Sequence, residues 1–327
     1  MIDEVMPDIY RLEIPLPKNP LRMVNSYVIK GEGRFLIIDT GQNREECIDA
    51  IRSGLAELRV DLDRTDFFIT HLHADHLGLV ANLATAKSKV YLGEADIEIN
   101  LYETSRSLEY WQRWDDLYIA HGFPKDELAR AAKTHPGRRF GLLEKVAFSV
   151  VKEGDLIEIG DYTFRCIETP GHSPGHICLY EADKKVLVSG DHILNDITPN
   201  ITVWLDMENS LRRYLESLGK VYDLDVSIVL PGHRRPFTNH RARIRELRDH
   251  HQARLAEAMA ALQHGPQTAY QVAPHVSWDI SFESWDLFPP MQKWFAVGET
   301  IAHLKYLNVT GRALEIEKGE HILYALS

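Results

Sequence analysis

Six consecutive residues, His71-Leu72-His73-Ala74-Asp75-His76, carry three imidazoles and one carboxylate. Those ligand types suit Zn, Fe or Mn. His71 and His73 are two apart, so an extended backbone puts both on one side. Asp75 and His76 then fall in the following turn and can face a second point a few ångströms away. One such cluster serves two metals only if other segments complete each coordination sphere. Three residues are placed to do so: His172 in Thr169-Pro170-Gly171-His172-Ser173-Pro174-Gly175-His176, Asp191 in Val188-Ser189-Gly190-Asp191-His192, and His233 in Leu230-Pro231-Gly232-His233. Each follows an expected strand, and each is preceded by a glycine, which lets the backbone turn tightly beside a site.

The composition narrows the options. The 327 residues include 16 His but 3 Cys, and Cys47, Cys166 and Cys178 form no CxxC pair. Neither a disulfide framework nor a thiolate zinc site is indicated. With 44% hydrophobic and 26% charged residues the chain reads as an ordinary globular protein, and its length suggests two domains. A formal net charge of −11 disfavours nucleic acid as a partner. No apolar run approaches the roughly 18 residues that span a bilayer. Acids stand in Met1-Ile2-Asp3-Glu4-Val5 where a signal peptide needs bases. The expectation is a cytoplasmic protein without membrane contact, with homo-oligomerisation left open.

The elements that must hold the cluster follow from periodicity. Strands are expected over 9–14, 26–29 and 35–38, the last continuously apolar and ending at Asp39-Thr40-Gly41. A helix over 44–58 follows, then Phe67-Phe68-Ile69-Thr70 as a strand running into the histidines, one helix over 74–83, and a strand at 90–92. Residues 94–142 form a helical insertion that could serve as a lid. A second series of strands runs over 147–151, 155–158, 162–168, 176–181 and 185–189, then a helix over 209–222 and a strand over 227–230. After Pro236 the character changes: a long Arg- and Ala-rich helix over 239–263 stopped by Gly265-Pro266, a short helix over 269–275 capped by Thr268, a helix over 290–307, and a hairpin around Lys318-Gly319-Glu320. Helix, helix, helix and hairpin is the order of a winged helix. The expected domains are 1–236 and 237–327.

Asp39, the HxHxDH run at 71–76, His172, Asp191 and His233, in that order, resemble the metallo-β-lactamase superfamily over about residues 1–236. The resemblance implies an α+β fold, an αββα sandwich. It implies that His71, His73 and His172 bind one metal, that Asp75, His76 and His233 bind a second, and that Asp191 bridges them. Asp39 would hold the ligand loops by hydrogen bonds. The Asp75 and Asp191 complement looks like the glyoxalase II branch, and the cysteine ligand of classical β-lactamases has no counterpart because position 191 is Asp. The C-terminal segment resembles the winged-helix tail of some glyoxalase II-like hydrolases.

The implied chemistry is hydrolysis of a thioester, ester or lactone. Two divalent ions, zinc before iron or manganese, share a water and lower its pKa toward 7. The bridging hydroxide attacks, with Asp75 and Asp191 as the catalytic carboxylates. A metal-dependent phosphodiesterase or ribonuclease is the alternative enzyme, and a DNA-binding regulator the alternative outside enzymology. Tyr110, Trp111 and Trp114, with Tyr118 on the same helix face, are either core or a hydrophobic wall of the site, and Trp204 is a further lining candidate. Arg234 and Arg235 open a run of seven arginines up to Arg254 that is either a solvated helix face or a contact for an anionic acyl thioester. His192, next to Asp191, is a candidate hydrogen-bond donor or proton shuttle.

Overall fold

The computed structural model describes residues 1–141, 146–279 and 283–327. The last residue of the expected 94–142 insertion lies outside them. The first half begins with strands β1 (Ile2–Met6), β2 (Ile9–Pro15), β3 (Met23–Lys30) and β4 (Phe35–Ile38), then helix α1 (Glu45–Glu57) and strand β5 (Thr65–Phe68). Next come short helices α2 (Ala74–Leu77) and α3 (Val80–Leu83), strand β6 (Val90–Gly93), helices α4 (Glu94–Ser105), α5 (Ser107–Ala120), α6 (Lys125–Ala132) and α7 (Pro136–Phe140), and strand β7 (Phe148–Val151). The second half has strands β8 (Leu156–Ile159), β9 (Tyr162–Glu168), β10 (Ile177–Glu181) and β11 (Val186–Gly190), helix α8 (Ser210–Tyr222), strand β12 (Ile228–Pro231), helices α9 (His240–Leu262), α10 (Ala269–Val272) and α11 (Pro290–Val309), and the hairpin β13 (Ala313–Lys318) with β14 (His321–Leu326).

Strands β1 to β7 form one sheet in sequence order, antiparallel through β4 and parallel from β4 to β7. A second sheet has the order β12-β11-β10-β9-β8, with only the β11–β12 pair parallel. The sheets face each other across a core that joins Ile29, Ile38 and Phe68 of the first to Phe164, Leu179, Val188 and Leu230 of the second. The outer face of the first sheet is covered by α1, α2 and α3 through Cys47, Ile51, Leu77, Val80 and Leu83. The outer face of the second is covered by α8 and by α5, α9 and α11, through Leu211, Trp114, Ile244 and Ile301. The result is a four-layer arrangement, helix–sheet–sheet–helix. β10 and β11 are buried at every position, and apart from Glu181 and Ser189 their residues are those of strands covered on both faces.

One expectation fails locally. The helix expected over 74–83 is two single-turn helices. A Cβ on Gly78 would lie 2.4 Å from Ala74 O, 2.7 Å from Phe140 O and 2.8 Å from Asn43 N, so the break is where other segments press on the backbone. The Leu79 amide is drawn to Thr40 Oγ1 at 3.3 Å.

The C-terminal region is helical with a small two-stranded sheet. Thr268 closes a capping box with Gln271 at the start of α10. This region shares one continuous core with the insertion and the second sheet. The arginines of α9 are largely engaged in that contact: Arg241 donates to Tyr222 O and Leu224 O, and Arg243 to Leu194 O and Ile197 O as well as to Glu246. No described helix is long and apolar enough to cross a membrane.

Candidate metal centre

The chemistry-bearing residues all follow strand ends: Asp39 follows β4, the 71–76 run follows β5, His172 follows β9, Asp191 follows β11 and His233 follows β12. The fold brings them to one place. Donor atoms of His71, His73 and His172 lie within 4.8 Å of one another, and so do those of Asp75, His76 and His233. Asp191 stands between the two trios. Its Oδ1 is 3.5 Å from His76 Nε2, and its Oδ2 is 3.6 Å from His172 Nε2 and 3.3 Å from His233 Nε2. Asp75 Oδ2 is 3.6 Å from His233 Nε2. These separations are too long for good hydrogen bonds. They match the roughly 3.4 Å expected between two donors on a tetrahedral ion with bonds near 2.1 Å.

The outer nitrogens explain why the inner ones converge. His172 Nδ1 donates to Asn200 O at 2.8 Å, His233 Nδ1 to Met23 O at 2.7 Å, and His76 Nδ1 to Asp39 Oδ2 at 2.7 Å. A carbonyl only accepts, so Nδ1 of His172 and of His233 carries a proton, and the Nε2 atoms of all three rings face inward. His76 Nε2, His172 Nε2, His233 Nε2 and Asp191 Oδ1 are buried without a hydrogen-bond partner. Each unmade bond of this kind costs about 1–3 kcal/mol. Gathered on both sides of Asp191, in the two trios, these four atoms fit divalent cations, which satisfy buried polar atoms that no partner in the protein reaches.

The electrostatics agree. Burial, helped by the neighbouring imidazoles, drives His71 and His73 well below the ordinary histidine range and keeps them neutral. Burial also opposes charge on Asp191, but His233 and His76 override it and hold the carboxyl well below its usual range. His76 is the mirror case: burial pushes it down, and the Asp39 and Asp191 carboxylates push it well up. The centre favours positive charge between its carboxylates.

A ring of neighbours fixes the candidate ligands. Asp39 has φ 58° and accepts from Thr70 N and Thr70 Oγ1, both at 2.8 Å, as well as from His76. His176 Nε2 accepts the Asp191 amide at 3.2 Å. Asn25 on β3 donates to Pro231 O at 2.9 Å and Arg234 O at 2.7 Å, clamping the His233 turn from both sides. Asp96, on α4, is fully buried and accepts from Leu72 N at 2.9 Å, Ser173 Oγ at 2.7 Å and Gly175 N at 2.6 Å. It ties the HxHxDH turn to the His172 loop. Sequence reasoning missed Asp96 and Asn25, because neither carries a local signal.

The other candidates divide. Trp204 reaches the centre, stacking on His73 with ring centroids 5.8 Å apart and donating to His172 O at 3.1 Å. Trp114 meets Trp204 edge-on at 5.8 Å, while Tyr110 and Trp111 pack one layer farther back. Arg234, at φ 69°, points its Nε toward Asp196 at 3.5 Å. Arg235 is exposed on a groove of about 570 Å³ that it shares with Met23 and Arg11. His192 packs against His176 and Tyr214 outside both trios, and burial pushes it down to about 3.

Gly232 shows how tight the centre is. A Cβ there would lie 2.4 Å from Asp191 Oδ1 and 2.8 Å from His76 Cε1. Gly232→Ala should therefore fold, by circular dichroism, yet bind metal at least about ten-fold more weakly in a titration, as misplaced ligands do. Unchanged affinity would show that the backbone approach is not needed.

The family model described as "Metallo-beta-lactamase superfamily" matches residues 19–233. The chain belongs to the metallo-β-lactamase superfamily. A second model, "Metallo-beta-lactamase-like, C-terminal domain", matches residues 255–324. Within the superfamily, the chain is 26% identical over 310 residues to "Probable metallo-hydrolase YqjP" of Bacillus subtilis (strain 168), covering 92% of each chain. It is 27% identical over 224 residues to "Acyl-coenzyme A thioesterase MBLAC2" of Bos taurus, covering 64% of this chain and 72% of that one. The crystal structure of a metallo-beta-lactamase family protein from Thermus thermophilus superposes with TM-score 0.85 at 28% identity, covering 99% of this chain and 100% of that one. A metallo-hydrolase with His/Asp clusters suited to divalent metal is thus the class of this protein.

Proposed function

We propose that the protein is a dinuclear metal-dependent hydrolase of thioesters, esters or lactones, close to the glyoxalase II branch. The observation that carries this reading is Asp191, one carboxylate within 3.6 Å of imidazoles from both trios. His71, His73 and His172 would hold one ion and Asp75, His76 and His233 the other, with Asp191 between them. Zinc suits so imidazole-rich a set, and iron and manganese are compatible. Two such ions supply an activated water near neutral pH and Lewis-acid stabilisation of a carbonyl oxygen.

The chain's own residues do the rest. Asp75 is half-buried where Asp191 is buried, so its carboxylate is the one placed to orient an attacking water. Trp204 and Trp114 keep the His73 side of the centre dry. Arg234 and Arg235 stand beside the ligand His233 and suit an anionic acyl thioester. Residues 1–236 form the catalytic unit and 237–327 the winged-helix tail, with 94–142 as the wall or lid, in a cytoplasmic enzyme. The thioesterase named among its relatives supports the thioester over the phosphodiester.

A panel of an acyl-CoA thioester, a lactone and bis(p-nitrophenyl) phosphate tests the class. The account expects turnover of the thioester or the lactone, lost in His73→Ala. Turnover of the phosphodiester alone, or full activity in His73→Ala, would contradict it.

A further inference from the structure

Away from the centre, helices α9 and α11 meet at a buried ion pair. Glu299 on α11 is 3% exposed and pairs with Arg254 of α9. Its Oε1 accepts from Arg254 Nη1, and its Oε2 accepts from Asn200 Nδ2 at 2.8 Å. The backbone carbonyl of that same Asn200 accepts the Nδ1 proton of His172 at 2.8 Å. The path from the C-terminal region to a candidate metal ligand is therefore one asparagine long.

The loop that carries Asn200 is gripped at further points. Val203 N donates to Gly298 O of α11 at 3.1 Å. Trp204, in the same loop, donates to His172 O at 3.1 Å and stacks on His73. A Cβ on Gly298 would come within 2.3 Å of Thr202 Oγ1 and 2.2 Å of Tyr118 Oη, so α11 is seated directly on this loop. His172 is thus held at its ring and at its main chain by residues 200–204, and those residues rest on α11.

The pair needs this explanation. Replacing a buried ion pair by well-packed apolar residues is often neutral or stabilising, so stability alone does not call for it. Glu299 with His250 and His251 also has metal-ligand types, with donor atoms within 4.8 Å of one another. Both of its oxygens are already engaged, however, and one faces the Arg254 cation. A tether fits these contacts and a third cation does not. The carboxylate is the right group for a tether because it only accepts, and both neighbours only donate at the contact.

We propose that Glu299 is a positioning residue that, through Asn200, holds the His172 imidazole in the tautomer and orientation needed for one of the two metal positions. The C-terminal region then sets the affinity of the His71/His73/His172 position and leaves the Asp75/His76/His233 position unaffected. This rests on the dinuclear reading proposed above.

The test is a Zn²⁺ titration of the chelator-stripped full-length protein, for wild type, Asn200→Ala and Glu299→Gln. Asn200→Ala keeps the backbone carbonyl and removes only its anchor. Glu299→Gln puts an NH₂ group against one of the two donors. The wild type should bind two ions. Each variant should lose about 10–100-fold in affinity at one position and nothing at the other, the size expected for a hydrogen-bond partner of a ligand. Activity at limiting Zn²⁺ should fall accordingly and recover with excess Zn²⁺, which a purely structural defect would not do. If Glu299→Gln fails to fold, Asn200→Ala decides. Unchanged affinities, or an equal loss at both positions, would overturn the inference. A wild type that takes up no zinc would instead overturn the dinuclear reading, and this inference with it.

Discussion

Asp191→Asn should lower kcat/KM for a thioester by about a thousand-fold, on the order of 4 kcal/mol of transition-state stabilisation. The substitution keeps the shape of the side chain and removes its charge. Among the described residues, Asp191 is the one carboxylate that reaches His76, His172 and His233 together. An amide would present an NH₂ group to one of the inward-facing lone pairs, and it would leave the centre one negative charge short for two divalent ions. Metal content should fall with activity, from two ions per chain to one or fewer. Removing a single electrostatic contributor from an active site commonly costs about 10²–10³ in kcat, and in the proposed dinuclear site this residue serves both positions. Steady-state kinetics with metal analysis on the same samples checks it. A loss of less than ten-fold would mean that Asp191 is not shared.

Asp96→Ala should destabilise the protein by about 3–5 kcal/mol in urea denaturation, one of the larger effects available to a single substitution. Three donors depend on this carboxylate: Leu72 N, Ser173 Oγ and Gly175 N. Each buried donor left unpaired costs about 1–3 kcal/mol, and the three share one site, so the costs do not simply add. Burial pushes the Asp96 carboxyl up to about 6, against the pull of those three donors, so removing the charge returns part of the cost. Asp96→Asn, which keeps an accepting oxygen, should fall between. If Asp96→Ala cost under 1 kcal/mol, the HxHxDH turn and the His172 loop would not be tied here.

The candidate ligands were legible because their signal is local. Two histidines at spacing two, a turn, and three Gly-led ligands after apolar strands can be read without knowing the fold. The strand runs were legible for the same reason: β10 and β11 are apolar but for Glu181 and Ser189, because both faces are buried. Strand β1 was missed because its residues are half-buried or exposed throughout, so no alternation marks it. The split of α2 from α3 was missed because its cause is the approach of Phe140 and Asn43 to Gly78, a tertiary event. The residues that hold the candidate ligands were missed for that reason too. Asp96 is 24 residues from Leu72 and 77 from Ser173, and Asn200 is 99 from Glu299. On the arginine-rich helix, Arg243 pairs with Glu246 as a solvated face would have it, but Arg241 and Arg243 also clasp the backbone carbonyls of Tyr222, Leu224, Leu194 and Ile197, which composition does not signal.

Metal stoichiometry measured against activity decides whether the centre is a dinuclear hydrolase site. The protein is stripped by a chelator, Zn²⁺ is returned in steps, and bound metal and thioester hydrolysis are read on the same samples. The expected result is no activity in the stripped protein, two ions bound per chain at saturation, and hydrolysis that recovers as the sites fill. Hydrolysis that survives complete stripping, or a protein that binds no divalent ion, would contradict it.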